Sequence, residues 1–92
     1  MFKTLEELIA IIRQRKRSST EESYTKKLLN NKKLSIEKVK EEIAELIDAI
    51  EKNTNKVHEA TDVLYHLMVL LESNGIKIED VMNELKKRQK NK

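Results

Sequence analysis

Four carboxylates stand as two matching pairs: Glu42 and Glu45 lie three residues apart, and so do Glu59 and Asp62. On a helix that spacing puts both members of a pair on one side, about one turn apart. Glu42 and Glu45 flank an apolar stripe of Ile36, Val39, Ile43, Leu46, Ile47 and Ile50. Glu59 and Asp62, with His66 four residues further on, lead straight into VLYHLMVLL, a run apolar nearly all round. Carboxylates on such a helix lose hydration, and clustered anions repel one another. Protonation relieves that cost, and so does a hard divalent cation. All-oxygen ligands with no cysteine in the chain favour Mg²⁺, with Mn²⁺ as a substitute. An ion held by a few carboxylates keeps positions open for phosphate oxygens, so the chemistry that fits is hydrolysis of a phosphoanhydride. An ExxE pair alone is usually a solvated helix face. An ExxD pair that runs into an apolar segment is not, because a solvated face continues polar.

Two helices must bring these pairs together. Asn53, Thr54 and Asn55 form a connector short enough to fold helices 35–52 and 56–73 into an antiparallel hairpin. Counted outward from the turn at ~1.5 Å per residue, Glu45 stands level with Asp62, Glu42 with His66, and Glu59 with the region of Ala49. Ser35 is the expected N-cap of the first of these helices, with Glu37 in its first turn. Asn74-Gly75 supplies a left-handed stop for the second. An amphipathic helix over 4–14 carries Leu5, Leu8, Ile9 and Ile12 on one stripe, and QRKRSSTEE breaks its pattern. Ser19 and Glu22 fit a capping box for a helix through SYTKKLL, which Asn30 to Lys33 end. A last short helix covers 78–88, and the RQKNK end is expected to fray. The expected fold is all-α, with four to five helices.

Composition agrees. The 92 residues contain no proline, one glycine and three aromatics, Phe2, Tyr24 and Tyr65. That favours long helices and short loops in a single domain spanning 1–92. Without cysteine there is no disulfide, thiolate site or thiol nucleophile. The formal charge of +3 has its excess in Arg13, Arg15, Lys16 and Arg17 and in the chain end. No aromatic is interleaved with the first of these runs, so no nucleic-acid partner is expected. No stretch approaches the ~20 apolar residues that span a bilayer. The N-terminus reads as a helix and not as a signal segment, so a cytoplasmic protein without membrane contact is the expectation. A chain this short has a marginal core. Apolar faces of helix 56–73 left over from it predict a homodimer or a larger homo-oligomer. The competing class is a helical interaction or nucleic-acid-binding module whose acids are mere surface. It predicts no stabilisation by Mg²⁺ and a steep salt dependence of any nucleic-acid affinity.

The strings SYTKKLL (23–29), Lys38-Val39, EEIAE (41–45), EATDVLYHLMVLL (59–71) and GIKIEDVMNEL (75–85) occur in that order over nearly the whole chain. Together they closely resemble the phosphoribosyl-ATP pyrophosphohydrolase family, among the all-α, MazG-like NTP pyrophosphohydrolases. The resemblance implies Mg²⁺ ligation and catalysis by Glu42, Glu45, Glu59 and Asp62. It implies hydrolysis of 1-(5-phosphoribosyl)-ATP to the AMP derivative and diphosphate, the second step of histidine biosynthesis. The chain is too short to hold the cyclohydrolase domain sometimes fused to this one, so that step is expected of another protein. A house-cleaning dNTP pyrophosphohydrolase is the neighbouring alternative. Three positions depart from the family pattern, Lys40 in place of glycine and Thr61 and Val63 in the ADLL segment, and none removes a ligand.

Other candidates carry two readings each. His66 either orients a carboxylate or touches substrate, or else it is a hydrogen-bonded histidine at a helix interface. Tyr24 and Thr25 are candidate nucleotide contacts, though Ser23 and Thr25 also suit local backbone bonds. Lys38, one turn before Glu42, reaches a phosphate or makes a helix-surface ion pair. Arg13, with the basic segment that follows it, either closes over the phosphates or is a solvated loop. His58 is expected to face solvent, and Glu41 to point away from the apolar stripe.

Overall fold

Five helices, with no strand among the described residues, make up the computed structural model, which describes residues 1–18 and 22–90. They are α1 (Lys3–Arg17), α2 (Tyr24–Leu29), α3 (Lys32–Lys52), α4 (Lys56–Ser73) and α5 (Ile78–Gln89). The all-α expectation holds, and α4 has the bounds its pattern predicts.

The α3–α4 hairpin is the frame of the molecule. Its turn works because asparagine tolerates the left-handed region better than other non-glycine residues. Asn53 and Asn55 take φ of 57° and 47°. With Asn53 in that conformation, the Thr54 N–H reaches back to the Ala49 carbonyl at 3.0 Å, which satisfies an otherwise orphaned acceptor at the end of α3. Gly75 does the same after α4, at φ 71°, and the Ile76 N–H bonds the Leu71 carbonyl at 2.9 Å. The predicted stop at Asn74-Gly75 is therefore a Schellman-type ending that turns the chain towards α5.

Helices α1 and α2 close one side of α4. Ile9 and Ile12 from α1, Leu28 from α2, and Met68 and Val69 from α4 form the buried core. Ile12, Leu28 and Val69 have no solvent exposure, so each contributes roughly 1.5–3 kcal/mol of apolar burial. Leu5, Leu8, Leu34, Tyr65 and Ile78 pack around that centre.

Three boundaries differ from the sequence reading. Helix α1 continues through Arg17, so Arg13, Arg15, Lys16 and Arg17 are helical. The Lys26 ammonium explains part of that extension, since it donates to the carbonyls of Arg15 and Ser18 at the negative end of α1. Helix α2 begins after Ser23, whose hydroxyl accepts from the Lys26 N–H at 3.1 Å. Ser19 lies outside the described residues. Helix α3 begins earlier than Ser35, because the Asn31 side chain caps it by accepting from the Leu34 N–H at 3.1 Å. Ser35 sits inside that helix and is buried.

Candidate active site

The α3–α4 hairpin converges three of the four carboxylates. Glu42, Glu45 and Glu59 each offer an oxygen within 4.8 Å of the others'. Glu42 is only 9% exposed, although a solvated glutamate was available to the chain one position earlier at exposed Glu41. Its Oε2, like that of Glu59, is cut off from solvent and has no hydrogen-bond partner. Burial raises the proton affinity of Glu42, and the neighbouring Glu45 carboxylate raises it further. Glu59 is raised for the same two reasons, burial first and Glu45 second. A fold places unpartnered anionic oxygens out of water only where something else meets them. A hard cation with affinity for carboxylate oxygen fits the donor set, which is all oxygen and multiply anionic.

Asp62 stands beside this group and not within it. It is close enough to raise both Glu42 and Glu59 electrostatically. Its own carboxylate lies 3.4 Å from His58 Nε2. Thus His58, expected at the surface and largely exposed there, also borders the site. Axial counting had put Asp62 level with Glu45. Levels on the helix axis fix partners only to about one turn, ~5.4 Å, because long glutamates span that distance.

Helices α2 and α3 supply the second wall. His66 is 7% exposed, and its Nδ1 lies 2.8 Å from the Asp62 carbonyl. A carbonyl only accepts, so Nδ1 carries the proton, and in the neutral ring Nε2 accepts from the Tyr24 hydroxyl at 3.1 Å. His66 therefore ties α2 to the turn of α4 that carries Asp62. Tyr24 stacks on Tyr65 at 6.4 Å between ring centroids, and the Tyr65 hydroxyl shares a hydrogen bond with Thr25. Burial raises the Tyr24 phenol above its ordinary value, which keeps it a donor. Lys38 faces the same wall and pairs with Glu41 at 3.4 Å.

Arg13 lies elsewhere. Its guanidinium bonds Glu72 at 3.0 Å and Glu79 at 2.7 Å, joining α1 to the far end of α4 and to α5. Glu72 escaped the sequence reading, yet it left a signal: a glutamate three residues after Val69 on the buried side of an apolar helix needs a partner.

Two clefts border the carboxylates. One, of about 420 Å³, is lined by Glu45, Glu59, Asp48 and Thr54 near the hairpin turn. The other, of about 530 Å³, runs between α1 and α4, and is mostly apolar, with Phe2, Leu5, Leu8 and Leu64 along it and Asp62 at its edge. No helix among the described residues is long and apolar enough to cross a membrane.

The sequence as a whole has known relatives. The family model for phosphoribosyl-ATP pyrophosphohydrolase matches residues 5–89, every helix included in whole or large part. The chain belongs to this family. Among curated relatives, a phosphoribosyl-ATP pyrophosphatase of Clostridium novyi is 44% identical over 94% of this chain and 81% of that protein. One of Methylobacterium nodulans is 46% identical over 92% of this chain and 82% of its own length. A bifunctional histidine-biosynthesis protein of Pyrococcus furiosus is 45% identical over 94% of this chain. The chain spans 41% of that longer relative. In this member of the phosphoribosyl-ATP pyrophosphohydrolase family, Glu42, Glu45 and Glu59 meet across one hairpin with Asp62 beside them, and His66 links that turn of α4 to Tyr24.

Proposed function

We propose that the chain hydrolyses 1-(5-phosphoribosyl)-ATP at its α–β phosphoanhydride, releasing 1-(5-phosphoribosyl)-AMP and diphosphate, the second step of L-histidine biosynthesis. The observation that carries this reading is the convergence of buried, unpartnered Glu42 with Glu45 and Glu59. Family membership supplies the substrate class.

Glu42, Glu45, Glu59 and Asp62 would hold the cation, Mg²⁺ by preference. When bound, it supplies Lewis acidity and offsets the negative charge of the polyphosphate. A carboxylate oxygen of Glu42 or Glu59 would orient the attacking water and take its proton. Lys38 exchanges Glu41 for the departing diphosphate, at little expense, because its pair is an exposed i,i+3 contact. His66 and Tyr24 hold α2 against α4, which fixes the backbone that carries Asp62. The apolar cleft beside Asp62 offers the base a surface. Arg13 is engaged by two carboxylates and is not needed for phosphate binding in this scheme.

The functional unit in this reading is a homodimer. Ile43, Ile47 and Ile50 form a stripe along α3 and are each 42–57% exposed, and a second copy of the chain would cover them. The uncovered apolar face is thus mainly on α3, where the sequence reading looked to α4.

The test is diphosphate release from phosphoribosyl-ATP with and without Mg²⁺, with ATP and dNTPs alongside. Metal-dependent release confined to phosphoribosyl-ATP is expected. Release from dNTPs would move the substrate to the house-cleaning class. Full activity in Asp62→Asn would sink the assignment of the site.

A further inference from the structure

The cleft between α1 and α4 borders the carboxylates but differs from them in character. At about 530 Å³ it falls within the ~300–1,000 Å³ of small-molecule sites, and its walls are mostly apolar. Two aromatic side chains, Phe2 and Tyr65, line it. Phe2 is 69% exposed, so most of its ring is available for a ligand to cover. Tyr65 is fixed in place by stacking on Tyr24 and by the hydrogen bond between its hydroxyl and that of Thr25. On the α4 wall, two polar groups share one sense. The single charged side chain of the cleft is the acid Asp62, and among the described residues no lysine or arginine lines it. Thr61 lines it too, and the one proton of its hydroxyl goes to the Val57 carbonyl at 2.8 Å. Only lone pairs remain on Thr61 Oγ1, so towards a ligand it accepts and does not donate.

Aromatic rings, an acid and an acceptor-only hydroxyl suit a flat cation that carries N–H donors. The base of phosphoribosyl-ATP is such a group. Substitution at N1 leaves the adenine ring positively charged at neutral pH, and its exocyclic amine shares the charge. The base of ATP is neutral. We propose that this cleft reads the cationic, N1-substituted adenine of the substrate, with Thr61 Oγ1 accepting from the exocyclic amine and Phe2 and Tyr65 packing on the ring. The chain thereby tells phosphoribosyl-ATP from ATP. The proposal rests on phosphoribosyl-ATP being the substrate. Continuity supports the placement, because Asp62 stands at the cleft edge and has an oxygen within 4.8 Å of one on Glu59. A base in the cleft and a triphosphate at the carboxylates therefore fit one ligand. If Thr61 served only as a helix back-bond to the carbonyl four residues earlier, no ligand preference would depend on it.

The experiment uses the full chain with Mg²⁺ and two probes, AMP and 1-methyl-AMP, whose methyl group stands where the substrate carries its second ribose. Calorimetry at pH 7 reads binding without turnover. Binding of 1-methyl-AMP should be about tenfold tighter, since a charged donor makes a hydrogen bond roughly twice as strong and a cation gains from the ring faces. Thr61→Val keeps the shape and removes the acceptor, so it should cut that preference to about threefold, and Thr61→Ser should restore it. Phe2→Ala should weaken 1-methyl-AMP more than AMP. In turnover, Thr61→Val should act on KM for phosphoribosyl-ATP more than on kcat. Equal binding of the two probes, or a preference that survives Thr61→Val intact, would overturn the proposal. A Thr61-dependent preference in a chain that releases no diphosphate from phosphoribosyl-ATP upholds the cleft, and the hydrolase reading is then the one that fails.

Discussion

Helix α4 carries glutamates near both ends, and their surroundings are opposite. At the C-terminal end, Glu72 is 8% exposed, but Arg13 meets its carboxylate at 3.0 Å and the Lys16 ammonium bonds its carbonyl at 2.7 Å. At the N-terminal end, Glu59 and its neighbour across the hairpin, Glu42, each have an oxygen as thoroughly removed from water, and among the described residues neither oxygen has a hydrogen-bond partner. Residue type and helix are the same. The counter-charge differs: α1 supplies one at the C-terminal end, and no side chain among the described residues hydrogen-bonds those oxygens at the other. A buried carboxylate whose partner the chain provides reads as structural, and one whose partner it withholds is the candidate for a site.

The sharpest way to break this comparison is to remove one of the unpartnered charges without changing its shape. Glu42→Gln or Glu59→Gln should lower turnover of phosphoribosyl-ATP by ~10³-fold, since cation-based stabilisation of the transition state is worth several kcal/mol. The same change should make the metal-free protein more stable, by about 0.5–1 kcal/mol, because it deletes a like-charge contact with Glu45. Urea titration without divalent ions reads the second effect, and Mg²⁺ should then stabilise wild type but not the variant. A Glu42→Gln protein that is both less active and less stable without metal would put Glu42 in the same class as Glu72.

The opposite end should respond in the opposite sense. Arg13→Ala leaves Glu72 buried and unpaired. Breaking a buried pair costs about 3–5 kcal/mol, and the partial exposure of Arg13 reduces the expected loss to roughly 2–3 kcal/mol. The urea midpoint should fall accordingly, and adding Glu72→Gln should recover much of the loss. Activity per folded molecule should be unchanged, because Arg13 does not touch the carboxylate cluster. A large fall in kcat with little change in stability would return Arg13 to the substrate.

These two regions were not equally legible. The acidic pairs were visible because a helical period puts their members on one face, and because Asn53–Asn55 and Asn74-Gly75 mark both ends of α4 in the local chemistry of the turns. What distant residues decide was not visible. The basic run after Ile12 carries no apolar residue to continue the helical stripe, so it read as a loop. It is helix because Glu72 and Glu79, Lys16's carbonyl partner and the capping ammonium of Lys26 hold it there, and most of these lie more than fifty residues away. Ser35 looked like a cap because its side chain can serve as one, but Asn31 reaches the N–H groups first. Charge partition was hidden as well: spacing places Glu59 and Asp62 together, and only the fold brings Glu59 to the Glu42 group while Asp62 stays on the side of His58.

The mildest contrast is within the ion-paired end itself. Glu79 shares Arg13 with Glu72, but its side chain is 59% exposed, and the guanidinium holds its carboxyl down at about 2. A lowered native value means the unfolded chain takes up the proton first. The pair's contribution is therefore complete above the ordinary carboxylate range, near 4.5, and is lost as the pH falls from there towards 2. Solvent screening keeps that contribution small. Thermal melts of Glu79→Gln should lie slightly below those of wild type at pH 7 and converge with them as the medium is acidified through that window. A gap that stays constant from pH 7 to pH 2 would mean that Glu79 acts by packing at the α4–α5 junction, and Arg13 would then owe its place to Glu72 alone.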